Sequence, residues 1–526
     1  MVNAKDDAEA PAAREEIPHD HLFKVTGLSS SNLEKMAQEL EADFEMAIAA
    51  TGYGGFNVAL MLCTLPAFWS AVSVTSSVSY IFTRAQCDMR LSLLDMGTVN
   101  AITYGGMISS AMVWGFLSDT LGRRQILAWG FFGSGLLEMA AAMSQNFTML
   151  LVTRFASGFL FNGPFAVLIS YIAELHRTEL RARVILLTSL FYTIANTTLP
   201  LLAWAILTND WELHLFSDKF VIHSWNLFLL ATALVPLLTG LAFICLPESP
   251  KFLMSRGRNA EALEVFRKIY SMNTGQPREN YPVTKLAEER SQHQGRGVEA
   301  LKGGCAQLAP LFKPPHGVWL LLMCALHMGC MFGSNTLRLW YPQLAAMIGS
   351  DVNGTLCSAI APVEVVQGGA CTPIETDMLT YLQSAVVGAG SVLTYSIGGA
   401  LVNKCGKKLV AGFCGIVSAV IIVLMPFLGT GAFAVVAMVT SALSFTALCG
   451  ASLSSINVDL FPTSLRVMGM ATFLMSGRLG TITGTVIFPA LVNYGCLPPF
   501  FTIAAVLAAC GFGCFLVPNT TLKKLE

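Results

Sequence analysis

Charge is what this sequence has least of. Asp, Glu, Lys and Arg make up 12% of its 526 residues, where a soluble domain carries about 25%. The formal net charge is −1, so no electrostatic field recruits nucleic acid. There is no G-x-x-x-x-G-K-[ST] loop, no H-E-x-x-H pair and no G-x-S-x-G elbow. Nucleotide-driven pumping and the common hydrolytic chemistries therefore have no site, and no enzyme is expected. Fourteen cysteines are scattered without zinc spacing, so neither metal nor cofactor is expected. No basic stretch followed by a cleavage site precedes the first apolar run, which argues against a signal peptide.

What is abundant is apolar sequence, 54% of the chain, with a mean hydropathy of +0.60. A soluble protein of this length and composition could not cover its surface with polar groups. Twelve apolar stretches fall at 56–82, 95–117, 125–143, 149–173, 184–208, 223–246, 317–345, 376–402, 409–427, 432–457, 467–491 and 497–517. Each can cross a bilayer core of about 30 Å as a helix of about 20 residues. The expectation is an all-α membrane protein whose only certain partner is the lipid bilayer, and which acts as a monomer. Its parts are an N-terminal segment 1–55, a six-helix half 56–246, a linker 247–316, a second six-helix half 317–517 and a tail 518–526.

Lys and Arg set the orientation. With the N-terminus inside, cytoplasmic segments hold 26 of the 32, the outer loops hold 3, and Arg154, Arg338 and Arg478 lie within spans. Both termini are therefore expected in the cytoplasm. Cys357 and Cys371 share the outer loop 346–375 and are candidates for a disulfide. Asn353-Gly354-Thr355 in the same loop is a candidate glycosylation site.

Two short segments recur at nearly one offset. Gly115-Phe-Leu-Ser-Asp119-Thr-Leu-Gly122-Arg123-Arg124 returns as Gly399-Ala-Leu-Val-Asn403-Lys-Cys-Gly406-Lys407-Lys408, 284 residues later. Glu174-Leu-His-Arg-Thr-Glu-Leu-Arg181 returns as Asp459-Leu-Phe-Pro-Thr-Ser-Leu-Arg466, 285 residues later. Duplicated halves around a central site are a transporter plan. The first segment resembles the G-x-L-x-D-x-x-G-R-R signature of the major facilitator superfamily. Arg154-x-x-x-Gly158, Glu174 to Arg181 and Pro247-Glu248-Ser249-Pro250 resemble its sugar-porter and organic-ion branch. Asp43 to Ile48, Gly52 to Phe56, His223-Ser224-Trp225 and Pro247 to Phe252 resemble the synaptic vesicle glycoprotein 2 group. That group carries a far longer outer loop between spans 7 and 8, so functions of the added domain do not carry over to the 30 residues here.

The resemblance implies gating roles for these residues. Glu174, Arg181, Arg123 and Arg124 would form a cytoplasmic charge cluster that closes and opens as the halves rock, with Arg154 and Glu248 completing the motif set. Asn403, Lys407, Asp459 and Arg466 would form the weaker matching cluster, since Asn403 replaces an acidic residue. Gly115 is expected to let helices approach closely, and Gly122 to permit a tight turn. Pro247 to Pro250 ends one helix and starts another. The apolar spacing of Phe252, Leu253, Ala260, Leu263, Phe266 and Ile269 reads as amphipathic helices, lying on the membrane or packed on the protein. The polar Gly/Gln-rich stretch 274–304 reads as mobile.

An ionisable group at membrane depth marks a functional site by default. Arg478 lies about 16 Å into the eleventh span, near the bilayer centre, and costs about 2.5–3.5 kcal/mol unless compensated. No carboxylate is expected near mid-depth, since Glu138 and Asp95 fall toward span ends. That favours an anionic or zwitterionic substrate. Asn162, Tyr192, Asn196, His327, Trp69 and Ser70 are the other mid-depth candidates for a wall around an organic ligand. Arg338 and Trp340-Tyr341-Pro342 read as an interface anchor and helix end near the outer end of span 7, with an outer-gate role as the alternative. The first span lacks a mid-span Asp or Glu, which makes uniport or exchange simpler than proton symport.

The leading reading is a transporter of a small organic ion working by alternating access, in the plasma membrane or a secretory vesicle. The competing reading is a transporter-folded vesicle protein that regulates trafficking without robust transport. The acidic residues Asp6, Asp7, Glu9, Glu15 and Glu16 make the N-terminal segment a candidate site for a cytoplasmic protein partner. Under the leading reading, Asp119→Lys traps the gate; unaltered accessibility of cytoplasmic-side cysteines would contradict this.

Overall fold

The computed structural model describes residues 42–215, 220–288, 309–348, 356–359, 376–429 and 431–518. A short helix, α1 (Phe44–Ala50), precedes the first bundle of α2 (Gly55–Met89), α3 (Leu93–Leu121), α4 (Arg123–Ala142), α5 (Phe147–Glu174), α6 (Thr178–Leu207) and α7 (Ser224–Cys245). Between α6 and α7 lies an antiparallel hairpin, β1 (Glu212–Leu215) with β2 (Phe220–His223). Two helices follow, α8 (Pro250–Ser255) and α9 (Asn259–Thr274). The second bundle comprises α10 (His316–Ile348), α11 (Met378–Cys405), α12 (Lys407–Leu428), α13 (Ala432–Leu460), α14 (Thr463–Val492) and α15 (Leu497–Gly513).

Each break between helices has a local cause. Arg90, at φ 51°, stops α2, and Ser92 with Asp95 forms the capping box that starts α3. Gly122, at φ +93°, makes the turn from α3 to α4, and a Cβ there would lie 2.6 Å from a Glu248 carboxylate oxygen. Gly431, at φ +76°, is enough to part α12 from α13.

Among the described residues, eight helices are long and apolar enough to cross a membrane by composition alone. Of the twelve long helices, α3, α4, α11 and α14 fall outside that set. Three of these, α3, α11 and α14, pack against the other half at Gly97 on Thr485, Gly388 on Asn196 and Arg478 on Met107, so part of their small and polar face meets protein rather than lipid. The fourth, α4, begins Arg123-Arg124-Gln125 and buries Glu138.

The apolar core is continuous at one end of the molecule and divided at the other. Val72, Val78, Ile81 and Phe82 of α2 share one cluster with Leu337, Trp340, Tyr341 and Leu344 of α10. Toward the end that carries Arg123, Arg181 and Lys407, here termed the basic end, the core separates into two clusters, one in each half except that Leu339 of α10 and Ile482 of α14 join the first. The first gathers Phe131, Phe161, Tyr171 and Phe243. The second gathers Leu320, Cys414, Leu453 and Phe461. Backbones cross closely between the halves away from the basic end. A Cβ on Gly97 would stand 2.5 Å from the Thr485 carbonyl oxygen, and one on Gly388 would stand 2.5 Å from that of Asn196.

The end opposite the basic one carries features the sequence reading lacked. Trp225 ties α7 to α2 by donating its indole N–H to Asp88 at 2.7 Å, and Ser224 accepts from the Trp211 N–H, just before β1, at 3.0 Å. The expected Cys357–Cys371 bridge is replaced by Cys357–Cys496, which joins a short helix at Leu356–Ala359 to the start of α15. Cys371 and Asn353 lie outside the described residues.

Glu138 lies four residues from the end of α4, toward a span end as expected, but it is sealed beside a charge the sequence did not pair with it. Arg154 of α5 and Glu138 of α4 are 1% and 2% exposed and form an ion pair at 2.5 Å. Arg154 also donates to the Val74 carbonyl, and Glu138 accepts from the Ser157 hydroxyl. The pair therefore ties α2, α4 and α5 together. Glu138→Gln alone or Arg154→Gln alone should each cost about 3–5 kcal/mol, with the double substitution costing less than the sum. Thermal unfolding in detergent checks this; additive losses would show that the two groups do not compensate each other.

Candidate functional site

Toward the basic end the core is divided between the halves, and above that division two arginines of the second half bond across to the first. Arg478 stands at the middle of α14 and donates to the Met107 carbonyl of α3 at 3.4 Å. Among the described residues this is its one hydrogen bond, and it has no ion pair. Arg338 of α10 donates from Nε to Asn335 Oδ1 at 3.2 Å, from Nη1 to Ser76 Oγ at 2.6 Å and from Nη2 to Tyr104 OH at 3.2 Å. It too has no ion pair among the described residues. Both arginines are half-buried, whereas Arg154 is sealed.

Arg338 thus bonds residues of the other half rather than standing free at a helix end. The helix runs on to Ile348, so Arg338 sits ten residues from its end, about 15 Å in. The phenols of Tyr80, Tyr104 and Tyr192 surround it. Tyr192 also lines, with Phe68, Thr188 and Ser189, a cavity of about 230 Å³. Of the sequence candidates, the structure thus brings Arg478 and Tyr192 to this region between the halves.

The other candidates meet protein. Asn162 donates to Ser110 Oγ at 3.3 Å between α5 and α3. Trp69 donates to Thr198 Oγ1 at 2.9 Å between α2 and α6. Ser70 is fully buried and bonds the Pro66 carbonyl of its own helix. Asn196 donates back to the Tyr192 carbonyl at 2.8 Å. His327 stacks on Phe473 with ring centroids 3.9 Å apart.

At the basic end, the charge pairs among the described residues lie within each half. Arg123 Nε lies 3.6 Å from Glu174, which also accepts from the Ser249 hydroxyl. Glu248 accepts from the Arg123 and Arg124 backbone N–H groups at 2.8 and 3.0 Å, so it caps the positive end of α4. In the second half, Lys407 pairs with Asp459, while the buried Nε of Arg466 has no partner among the described residues. The side chains of Asp119 and Asn403 lie outside the described set. Gly115 differs from expectation: a Cβ there would meet nothing within 4 Å, so no helix approaches it in this conformation.

Arg181 leaves the expected cluster altogether. It clasps the Glu45 carboxylate of α1 with two bonds, at 2.9 and 3.0 Å, and Thr178 donates to the same carboxylate at 2.6 Å. Segment 42–52 is therefore not a free tail. Phe44, Ala47 and Ile48 pack against Leu253, Met254, Phe266 and Tyr281, and the Tyr281 hydroxyl donates to the Ala47 carbonyl at 2.6 Å. The apolar face of α9 is spent on this contact with protein. The stretch expected to be mobile is ordered as far as Leu286, whose backbone pairs with Ala42. Residues 289–304 lie outside the described residues.

The Major Facilitator Superfamily profile matches residues 47–371, more than half of the chain. The chain belongs to the Major Facilitator Superfamily. Synaptic vesicle glycoprotein 2C of mouse is 26% identical over 334 residues, covering 60% of this chain and 46% of that protein. Synaptic vesicle glycoprotein 2A of rat is 26% identical over 338 residues, covering 60% and 45%. The chain thus spans about half the length of the curated relatives it matches. Among solved structures, the xylose transporter XylE from E. coli, in a partially occluded inward-open conformation, superposes with a TM-score of 0.63 at 14% identity. That match covers 89% of this chain and all of the other. The fold is therefore that of a multi-pass facilitator, and the protein is an integral membrane protein.

The Glu45 clasp has a defined pH response. Partial burial raises the carboxyl pKa, but the hydrogen bonds from Thr178 and Arg181 and the Arg181 charge outweigh it, leaving it below the ordinary value of 4.5. A depressed carboxyl contributes stability above its unfolded pKa and loses it as pH falls through the folded one. Amide exchange in 44–50 should stay protected from neutral pH down to about pH 5 and open only in stronger acid. Glu45→Gln should open it at neutral pH; unchanged protection in that variant would contradict the clasp.

Proposed function

We propose that this facilitator carries a small organic anion, or a zwitterion through its carboxylate, by alternating access with its basic end in the cytoplasm. The observation that carries this reading is the Arg478 guanidinium, held between the halves with no ion pair among the described residues. An unpaired membrane-embedded arginine requires compensation, and an anionic ligand supplies it.

The arrangement supports the rest of the cycle. The core joins the halves away from the basic end and divides toward it, so a ligand between the halves has a path to the basic end. The lysine and arginine bias and the Cys357–Cys496 bridge at the opposite end both fit a cytoplasmic basic end. In the alternate state Gly115 would receive the other half. The Arg123–Glu174 and Lys407–Asp459 pairs would then exchange partners across the gap. No acidic residue stands at mid-depth in α2, which favours uniport or exchange.

The second reading, a trafficking regulator of vesicle membranes, is favoured by the synaptic vesicle relatives and by the docked segment 42–52, a ready surface for a cytoplasmic partner. Substrate-dependent flux separates the two. In proteoliposomes, Arg478→Ala should abolish saturable anion uptake while the protein still inserts; unchanged uptake would remove Arg478 from the site.

A further inference from the structure

Three arginines lie within the membrane-spanning helices, and their settings differ. Arg154 has its counter-ion built in, on the neighbouring helix of its own half. Arg338 and Arg478 belong to the second half, and both reach across to the first. They meet the same helix, α3, at Tyr104 and Met107, three residues or one turn apart. Arg338 spends three of its five N–H groups on neutral acceptors, which leaves one N–H on each terminal nitrogen. Those acceptors orient the guanidinium without neutralising it.

We propose that Arg338 is a second anion-binding group between the halves, and that the substrate is an organic dianion of the dicarboxylate type. One carboxylate engages Arg478 and the other Arg338, with Tyr104 between them. This inference rests on the anion reading above and narrows it. A dianion supplies two negative charges where the bundle holds two uncompensated positive ones, whereas a monoanion leaves one guanidinium unpaired at membrane depth. The fork geometry of arginine suits carboxylate better than a single ammonium would. Arg338 also bonds Ser76 and Tyr104 of the first half, so binding there couples occupancy to the contact between halves.

The test uses the full chain in proteoliposomes. Uptake of aliphatic dicarboxylates from succinate to adipate is compared with that of monocarboxylates of matched chain length. Wild type should prefer dicarboxylates, and Arg338→Gln should lower the dicarboxylate-to-monocarboxylate ratio of kcat/KM by about tenfold or more. Arg338→Lys keeps the charge, loses the fork and should fall between; it also serves if the glutamine variant does not fold. Equal losses for both acid classes would make Arg338 only a strut between the halves and overturn the proposal. Wild-type uptake of monocarboxylates with no dicarboxylate preference would overturn it too, yet leave the anion reading standing. No uptake of either class by folded protein would bring down the anion reading and this inference together.

Discussion

The structure depends on how it treats positive charge inside an apolar bundle. A guanidinium at membrane depth is costly unless something neutralises it. Arg154 meets that requirement within one half: Glu138, the Val74 carbonyl and a sealed environment make it a tie among α2, α4 and α5. Arg338 and Arg478 do not meet it, because the groups they reach are a hydroxyl, a phenol, an amide and a carbonyl. The same chemical group is thus neutralised in one place and left to neutral acceptors in another, where the proposed anion would bind. The difference lies in whether a carboxylate is built beside it.

The two halves would make that site a moving part. Apolar packing joins them through α2 and α10 and is interrupted toward the basic end, where the core divides in two. Cores that stay intact while the seam between them opens allow rocking without unfolding. Small residues make the seam thin: Gly97 against Thr485 and Gly388 against Asn196 bring backbones into contact. Around the basic end, α1, α8 and α9 form a collar whose apolar residues are covered by one another. Glu45 links that collar to the start of α6 through Arg181.

Much of this was legible in the sequence. The twelve helices follow from apolar run length, because a helix that must satisfy its backbone in lipid has little alternative. The duplicated motif at Asp119 and Asn403 exposed the two halves, and run length placed Arg478 at mid-helix. What was not legible depended on contacts between distant segments. Glu138 stands near its helix end as its position implied, but its ion pair was hidden because the partner, Arg154, lies on the next helix within about two turns of the same end. Arg338 has partners on the other half, which its place along α10 does not reveal. Cys357 pairs with Cys496 across 139 residues, which no spacing rule selects. Glu45 was hidden in a polar segment whose ordering comes entirely from the collar it docks on.

Among the described residues, Arg338 and Arg478 carry positive charge that a bound anion would neutralise. Thermal unfolding of the purified protein with a panel of organic anions, cations and neutral sugars tests this without requiring transport, because a ligand that binds only the folded state raises the unfolding temperature. The account predicts a concentration-dependent rise with anions that is absent with cations and sugars. A rise with a cation or a neutral sugar, and none with any anion, would contradict it.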